Sequence, residues 1–279
     1  MPEWSIIIHG GAKTIIPEEE KSHRIAAEAA VMCGVAVLRD GGSAIDAVEA
    51  SIRAMEDGGI FNAGQGSVKR SNGQVEMDAS IMDGRTFDIG AMAGLSGIKN
   101  PISAAKLLLR ERPVLLIGQP AIDYALQKGA EIFTAEHSQS TATTPCDTVG
   151  CVAMDRQGNL AVGLSTGGLT DAMSGRVGDV PLPGCGFYAD NTRGALCFSG
   201  DGEGIARKML AAEVMRKMEI MDSIQAITEA LDDLKALDFE AGCILIDPQG
   251  EPAWGHNSSH FAIASQTSDQ DAPVVAIKK

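Results

Sequence analysis

The sequence predicts an α+β protein in which two antiparallel sheets pack face to face and pairs of helices cover them. Strand-like segments come in consecutive groups and helix-like segments in consecutive pairs, whereas a parallel sheet requires regular alternation of strand and helix. No repeat occurs at the periods typical of solenoids. The chain has 279 residues, so we expect one large domain spanning residues 1–279.

The first half of the chain begins with an apolar strand followed by two helices. The strand is expected at Trp4–Ile8, and the helices at Glu19–Arg39 and Ser43–Met55. Ser43 is the predicted N-cap of the second helix because a hydroxyl there can accept a hydrogen bond from the first turn. The other elements expected in this half are strands at Val68–Arg70, Gln74–Asp83, Ala91–Leu95 and Val114–Ile117, and helices at Ile102–Glu111 and Ala121–Lys128.

A polar segment near the middle of the chain separates the two halves. Residues 134–147 are rich in Ser and Thr, a composition typical of an exposed linker. A Gly- and Pro-rich loop is expected at Ser165–Asn191. The elements expected after the linker are strands at Val149–Met154, Asn159–Leu164, Ala195–Phe198, Cys243–Ile246 and Ala253–Ala264, and helices at Gly202–Met218 and Ser223–Leu237.

Charge and composition restrict the classes of partner. The formal net charge of −14 disfavours nucleic acid, because sequence-independent binding to phosphates needs clustered Lys and Arg. A neutral or zwitterionic small-molecule substrate fits better. No apolar run reaches membrane-spanning length, and the first residues resemble no secretory signal, so we expect a cytoplasmic protein without membrane contacts. The six cysteines form no CxxC pair, which favours free thiols over a zinc site.

Three motif-like stretches do not fit the sites that they resemble, namely a serine-hydrolase elbow, a helical metal pair and a phosphate loop. Gly163–Gly167 reads GLSTG, but the Gly- and Pro-rich residues after it do not form the helix that a serine-hydrolase elbow requires. His256 and His260 have the spacing of a helical metal pair, yet they border a strand-like run. The acidic stretch Gly200–Gly204 lacks the Lys of a phosphate loop. One interpretation is a turn followed by the acidic N-terminus of a helix, and the other is that backbone N–H groups around Gly200 line an oxyanion hole.

Arg176 and Asp179 lie three residues apart in a loop that is otherwise apolar and rich in glycine. One interpretation is an ordinary solvated ion pair. The other is a clamp for a zwitterion, in which the guanidinium binds an α-carboxylate and the carboxylate binds an α-ammonium group. The spacing alone leaves both open.

Thr148 follows Asp147 at the junction between the polar linker and an apolar strand. A hydroxyl needs an adjacent base to act as a nucleophile, and an N-terminal Thr can use its own α-amine. The pKa of an α-amine is about 7.7–8.0, so a useful fraction is neutral near pH 7. Such a terminus requires cleavage of a precursor, for which a polar linker ending at a rigid strand is suited. A plain loop-to-strand junction is the alternative.

Long motifs in a fixed order cover nearly the whole chain. They are IIIHGGA, FNAGQGSV, VEMDASIMDG, DTVGCVAMDRQGNLAVGLSTGGLTDAMSGRVGDVPLPGCGFYADN and SGDGEGIAR. Together they resemble the N-terminal-nucleophile hydrolases of the plant-type L-asparaginase and isoaspartyl peptidase family, which is related to glycosylasparaginase. The resemblance implies a four-layer αββα sandwich, catalysis without a cofactor, and a homodimer of cleaved units.

The resemblance also implies roles for Thr148 and its neighbours. Thr148 would be the nucleophile, released by autoproteolysis of the Asp147–Thr148 bond into fragments 1–147 and 148–279. Thr166 would be the second active-site Thr, and Asn62 would orient the nucleophile.

By the same resemblance, Arg176 and Asp179 would hold the α-carboxylate and α-amine of the substrate. Ser199 and Gly200 would form the oxyanion hole. The implied substrates are L-asparagine and β-aspartyl dipeptides. The loop from residue 55 to residue 65 resembles the structural sodium-binding loop of the family, whose backbone carbonyls here would belong to Met55, Glu56, Gly58, Phe61, Ala63 and Gln65.

Two residues depart from the pattern of the family. Ser199 stands where Thr is usual, which keeps the hydroxyl but loosens its rotamer. Asp147 stands where many plant-type members have Gly, and this resembles glycosylasparaginase. Two alternatives therefore stay open: a hydrolase of glycosylated asparagine, or an uncleaved family member that binds an amino acid without catalysis.

Overall fold

A computed structural model describes residues 1–133 and 148–278 of the chain. Its strands are β1 (Ser5–Lys13), β2 (Met77–Asp83), β3 (Ile89–Leu95), β4 (Leu115–Ile117), β5 (Val149–Met154), β6 (Leu160–Thr166), β7 (Phe187–Asp190), β8 (Gly194–Gly200), β9 (Ala241–Ile246), β10 (Pro252–His256), β11 (His260–Thr267) and β12 (Val274–Ala276). Its helices are α1 (Pro17–Arg39), α2 (Ala44–Gly58), α3 (Pro101–Lys106), α4 (Gly118–Gln127), α5 (Gly202–Lys208), α6 (Leu210–Lys217) and α7 (Ser223–Lys235), with a short 3-10 helix at Gly64–Gly66. The predicted linker, including Asp147, lies outside the described residues.

The strands form two sheets. The larger sheet has the order β12-β11-β1-β5-β6-β2-β3-β4, and the smaller has the order β10-β9-β8-β7. The prediction of purely antiparallel sheets is wrong at one edge, where β3 and β4 pair in parallel. The chain between these two strands passes through α3, which provides the crossover that a parallel pair requires.

Three of the apolar clusters among the described residues join the two sheets to each other and to helices on their outer faces. One joins α1 and α2 to the larger sheet and includes Ile6, Val31 and Ile52. A second lies between the two sheets and contains residues of both. The third joins the smaller sheet to α5, α6 and α7. The predicted α+β class with two packed sheets is therefore confirmed. Among the described residues, no helix combines the length and apolarity needed to cross a membrane.

Most predicted elements occur close to their predicted bounds. Ser43 caps α2, since its hydroxyl accepts a hydrogen bond of 3.2 Å from the backbone N–H of Asp46. The predicted helix Ile102–Glu111 is shorter, and Arg110 adopts a left-handed φ of 69°. The predicted helix Gly202–Met218 is divided at Met209, which has φ of 49°. The first turn of α6 instead donates hydrogen bonds to the carbonyls of Cys185 and Gly184.

Two predictions of strands are wrong. Val68–Arg70 is not a strand, because residues 69–71 bond to the backbone of residues 171–172 rather than to a sheet. The predicted strand Ala253–Ala264 is two strands in different sheets. Between them the Asn257 side chain accepts a hydrogen bond of 2.6 Å from Ala241 N and donates to backbone carbonyls, so the chain turns from one sheet to the other. Sequence reasoning also missed β7 and β12.

Candidate active site

Thr148 lies at the start of β5, in the middle of the larger sheet. Val149 pairs with Ser165 of β6, and continuing this antiparallel register by one residue places Thr148 opposite Thr166. Both threonines line a small pocket whose residues are Thr148, Thr166, Gly168, Leu169, Arg176, Gly178, Asp179, Val180, Gly200 and Gly202. The structure therefore brings together five of the predicted site residues, although they come from separate elements.

Asn62 does not line this pocket but fixes the turn that follows Thr166. Its side-chain Nδ2 donates a hydrogen bond of 2.7 Å to the carbonyl of Gly168, and its Oδ1 accepts one of 3.0 Å from Val68 N. Its own carbonyl accepts from Gly167 N at 2.9 Å. Within the turn, Thr166 Oγ1 accepts from Gly168 N at 3.0 Å. Asn62 thus acts on Thr166 through the backbone of the turn that follows it.

Ser199 and Gly200 are the last residues of β8, and of the two Gly200 lines the pocket. Ser199 is buried, and its hydroxyl oxygen accepts a hydrogen bond of 3.2 Å from Ala12 N, so its hydrogen stays available for donation. Gly200 has φ of 141°, and a Cβ there would lie 2.3 Å from the carbonyl oxygen of Glu240. Only glycine fits this close approach.

Arg176 and Asp179 are both well shielded from solvent. The Arg176 side chain is 16% exposed and forms a two-pronged ion pair with Glu203, through Nε at 2.9 Å and Nη2 at 2.8 Å. Sequence reasoning placed Glu203 only in the acidic first turn of a helix and missed this contact. No local pattern in the sequence indicates this contact, because the two residues are 27 positions apart.

Asp179 is almost completely buried and carries an unusual pKa. Burial raises the pKa of its carboxyl to about 7, while its own backbone N–H and the Arg176 guanidinium act in the opposite direction. Its Oδ2 has no hydrogen-bond partner among the described residues. A Cβ at Gly202 would lie 2.7 Å from Asp179 Oδ1 and 3.1 Å from Arg176 Nη2. The site therefore presents a guanidinium and an unsatisfied carboxyl side by side.

The HGGA motif contributes to the site through His9, Gly10 and Ala12, which sequence reasoning did not assign. His9 is fully buried, and burial lowers its pKa to about 3, with the backbone of Thr148 acting in the opposite direction. The imidazole is thus neutral at ordinary pH. A Cβ at Gly10 would lie 2.1 Å from the Phe61 ring, so this glycine lets the loop of residues 59–66 pack against β1.

The predicted sodium loop joins the end of α2 to the 3-10 helix. Gly66 packs closely against two carbonyls of this loop, because a Cβ there would lie 2.0 Å from the Phe61 oxygen and 3.1 Å from the Gly59 oxygen. Glu56 is buried, and burial raises the pKa of its carboxyl to about 8, while its Oε1 accepts from Ser165 Oγ at 2.7 Å.

Two of the three motif-like stretches reach the pocket, since Thr166 belongs to Gly163–Gly167, and Gly200 and Gly202 belong to Gly200–Gly204. Ser165 is within β6 and donates its hydroxyl proton to Glu56, so the GLSTG segment forms no nucleophile elbow. His260 Nδ1 accepts from Ile15 N at 3.2 Å. In the described ranges, no group of three His, Cys, Asp or Glu side chains is arranged to hold a metal ion. Of the cysteines described there, all are free thiols.

Comparison with known sequences agrees with this arrangement of motifs. The sequence model of one protein family, described as Asparaginase, matches residues 2–144 and, in an overlapping second match, residues 128–276. Together the two matches span almost the entire chain. The chain belongs to this asparaginase family.

Similar proteins in three organisms carry related names. The isoaspartyl peptidase/L-asparaginase of Homo sapiens is 41% identical over 285 residues, covering 93% of this chain and 92% of that protein. The protein of the same name from Xenopus laevis is 36% identical, with 95% and 93% covered. The plant-type L-asparaginase of Thermococcus kodakarensis is 36% identical, with 98% and 99% covered.

Proposed function

We propose that this chain is a threonine amidohydrolase that cleaves the side-chain amide of L-asparagine and of β-aspartyl dipeptides after autoproteolysis before Thr148. The observation that carries the proposal is the pocket itself, where Thr148 lies opposite Thr166 and near Arg176 and Asp179. The names of the similar proteins support the same substrates.

In the proposed activation, the Thr148 hydroxyl attacks the carbonyl of residue 147. The acyl group moves from nitrogen to oxygen, and water hydrolyses the resulting ester. The products are fragments 1–147 and 148–279, the second with a free α-amine on Thr148. That amine is the base that the mature enzyme needs.

In the proposed catalytic cycle, the Thr148 α-amine takes the hydroxyl proton while Oγ attacks the β-carbonyl of the substrate. The Ser199 hydroxyl, already accepting from Ala12 N, donates its hydrogen to the developing oxyanion together with the Gly200 N–H. The protonated amine then gives its proton to the departing nitrogen, which leaves as ammonia or as an amino acid. Water, deprotonated by the same amine, hydrolyses the β-aspartyl ester and restores Thr148.

The clamp of Arg176 and Asp179 determines the orientation in which the substrate binds. Glu203 occupies Nε and Nη2 of Arg176, so we propose that the α-carboxylate binds from the Nη1 side. Asp179 would receive the α-ammonium group, and this new charge would favour the ionised carboxylate that burial disfavours. Because the clamp recognises only the aspartyl unit, both ammonia and an amino acid are acceptable leaving groups.

Three further features are part of the proposal. The three apolar clusters support a four-layer αββα arrangement. The proposal also includes a structural sodium ion held by backbone carbonyls of residues 55–65, and it rests on the resemblance of this loop to the sodium-binding loop of the family. A homodimer of cleaved units in the cytoplasm remains a prediction, which sedimentation of the purified protein and fractionation of cells would check.

Two measurements test the proposal. Intact mass spectrometry should show fragments breaking before Thr148, and the Thr148→Ala variant should remain one chain. A substrate panel of L-asparagine, β-Asp-Leu and glycosylated asparagine should then show release from the first two. Release from glycosylated asparagine alone would favour a glycosylasparaginase-like enzyme, and an intact chain that binds aspartate without turnover would favour a non-catalytic binding protein.

A further inference from the structure

We propose that Arg70 and Glu76, which belong to a hairpin-like segment at residues 69–76, are positioning residues for the substrate clamp. Neither residue lines the pocket. Both act, in this view, on the loop of residues 171–176 that ends in Arg176. The inference rests on the proposed function, in that it assumes Arg176 binds the α-carboxylate of the substrate.

The two segments are joined first through their backbones. Asp171 N donates a hydrogen bond of 3.0 Å to the Lys69 carbonyl, and Ser71 N donates one of 3.0 Å to the Ala172 carbonyl. The segment at 69–76 closes on itself, since Arg70 N donates to the Gln74 carbonyl at 2.8 Å. It thus forms a compact support beside the clamp loop.

Arg70 extends this support to the clamp residue itself. Its side chain is fully buried, and its Nη2 donates to the backbone carbonyls of Glu76 at 3.1 Å and Arg176 at 3.3 Å. A Cβ at Gly168 would lie 2.2 Å from Arg70 Nη1. The guanidinium therefore touches both the backbone of the clamp residue and the turn that follows Thr166.

Glu76 holds the two residues immediately before Arg176. Its carboxylate accepts hydrogen bonds from the Ser174 hydroxyl and, at 2.8 Å, from Gly175 N. Its Oε2 also lies 3.7 Å from Arg70 Nε. Arg70 and Glu76 together therefore hold three consecutive residues, 174–176, at the base of the clamp.

Stability alone does not explain a guanidinium in this position. Burial lowers the pKa of Arg70, against the attraction of Asp78 and Glu76. A buried ion pair is often no more stabilising than apolar residues of similar volume. An apolar side chain at position 70 could not donate a hydrogen bond to the Arg176 carbonyl. The orientation of that carbonyl sets the direction in which the Arg176 side chain leaves the backbone.

The expected signature is weaker binding of the α-carboxylate with little change in the chemical step. If the clamp binds substrate and transition state equally, weakening the clamp raises KM and leaves kcat unchanged. In the cleaved enzyme, Arg70→Met should raise KM for L-asparagine and the inhibition constant of L-aspartate by roughly tenfold, the size typical of a lost hydrogen bond involving a charged group. Hydrolysis of L-asparaginamide, which lacks the α-carboxylate, should change less than threefold in kcat/KM.

Three further variants complete the experiment. Arg70→Lys keeps the charge but not the fork of donors, so it should recover only part of the binding. Glu76→Gln should raise KM in the same direction by a smaller factor. Arg53→Met serves as a matched control, because Arg53 also bonds a hydroxyl and a carboxylate, those of Ser103 and Glu131, outside the pocket. It should behave as the wild type.

The outcomes separate this inference from the proposed function. Wild-type KM in Arg70→Met and Glu76→Gln would overturn the inference, as would a fall in kcat with unchanged KM or an equal loss for L-asparaginamide. Should Arg70→Met fail to fold or cleave, Arg70→Lys and Glu76→Gln decide the matter by the same criteria. If Arg176→Lys also leaves KM unchanged, the clamp itself is wrong rather than its support.

Discussion

Replacing Asp179 with Asn tests whether the ionised Asp179 carboxylate destabilises the folded protein. Asp179 is 4% exposed, and burial raises the pKa of its carboxyl from 3.8 to about 7. Asn has nearly the same shape but cannot ionise, so it removes the buried charge while largely preserving the packing. The variant should therefore be more stable than its parent at alkaline pH.

The sign and size of the effect follow from the two pKa values. The folded protein binds this proton more tightly than the unfolded chain, so stability falls as the pH rises from about 4 through 7, and the full loss is present above 7. One pKa unit corresponds to about 1.4 kcal/mol, so ionised Asp179 costs on the order of 4 kcal/mol as an upper estimate. For a chain of this size, that is on the order of 10 °C in Tm.

The assay compares Thr148→Ala with Thr148→Ala/Asp179→Asn, since both are expected to stay single chains. Urea unfolding of each protein at pH 5 and pH 8 gives two free energies of unfolding per protein. Titrations of other buried groups, such as the Glu56 carboxyl with its pKa of about 8, are common to both and cancel. The gain from Asn should be larger at pH 8 by about 2–3 kcal/mol.

Two results would refute this reasoning. An equal stability difference at pH 5 and pH 8 would mean that the Asp179 carboxyl does not titrate with a raised pKa. A variant less stable than its parent at pH 8 would mean that the carboxylate is stabilising.

In the cleavable protein, Asp179→Asn should also lower kcat/KM for L-asparagine at least a hundredfold, because the α-ammonium group of the substrate loses its counter-charge. Unchanged activity would mean that Asp179 is not part of the clamp.

Three other substitutions have distinct expected outcomes. Ser199→Ala should lower kcat by about 10²–10³ with little change in KM, as loss of one oxyanion donor does, and steady-state kinetics showing a pure KM effect would contradict that role. Thr166→Val removes the acceptor of the Gly168 N–H and should lower kcat at least tenfold in a folded protein; wild-type turnover would argue against it. Gly202→Ala places a methyl group 2.7 Å from Asp179 Oδ1, so KM should rise at least tenfold, and an unchanged aspartate inhibition constant would show that the clamp tolerates it.

The resemblance of the motifs to a known family was sufficient to predict five of the residues that line the pocket, and local sequence agreed with it at three of them. Arg176 and Asp179 are three residues apart in one loop, and Thr148 stands at the boundary between polar and apolar sequence. The partners of these residues were not predictable in this way. Glu203, Arg70 and the Ala12 N–H reach the site through contacts between residues that are 27, 106 and 187 positions apart. Such contacts depend on how the sheets and loops pack.

The difference between local and long-range contacts also explains which elements were predicted correctly. The start of α2 follows from Ser43, whose hydroxyl acts within its own first turn. The division of residues 253–264 into β10 and β11 depends on Asn257, whose side chain bonds to three distant backbone groups. The polar run His256–His260 interrupts the apolar pattern at that point, but it does not reveal that the strands on its two sides belong to different sheets.

The order of strands explains how the chain could be cut before Thr148 without losing the site. In the larger sheet, β1 of the first half lies between β11 and β5 of the second, and β2 of the first half pairs with β6 of the second. Three ladders of backbone hydrogen bonds therefore cross between the halves. Since β5 stays paired on both sides, the new terminus would form at the end of a strand that is already fixed. The amine of Thr148 would then appear beside Thr166 without any rearrangement of the fold, which is the arrangement that a terminal base requires.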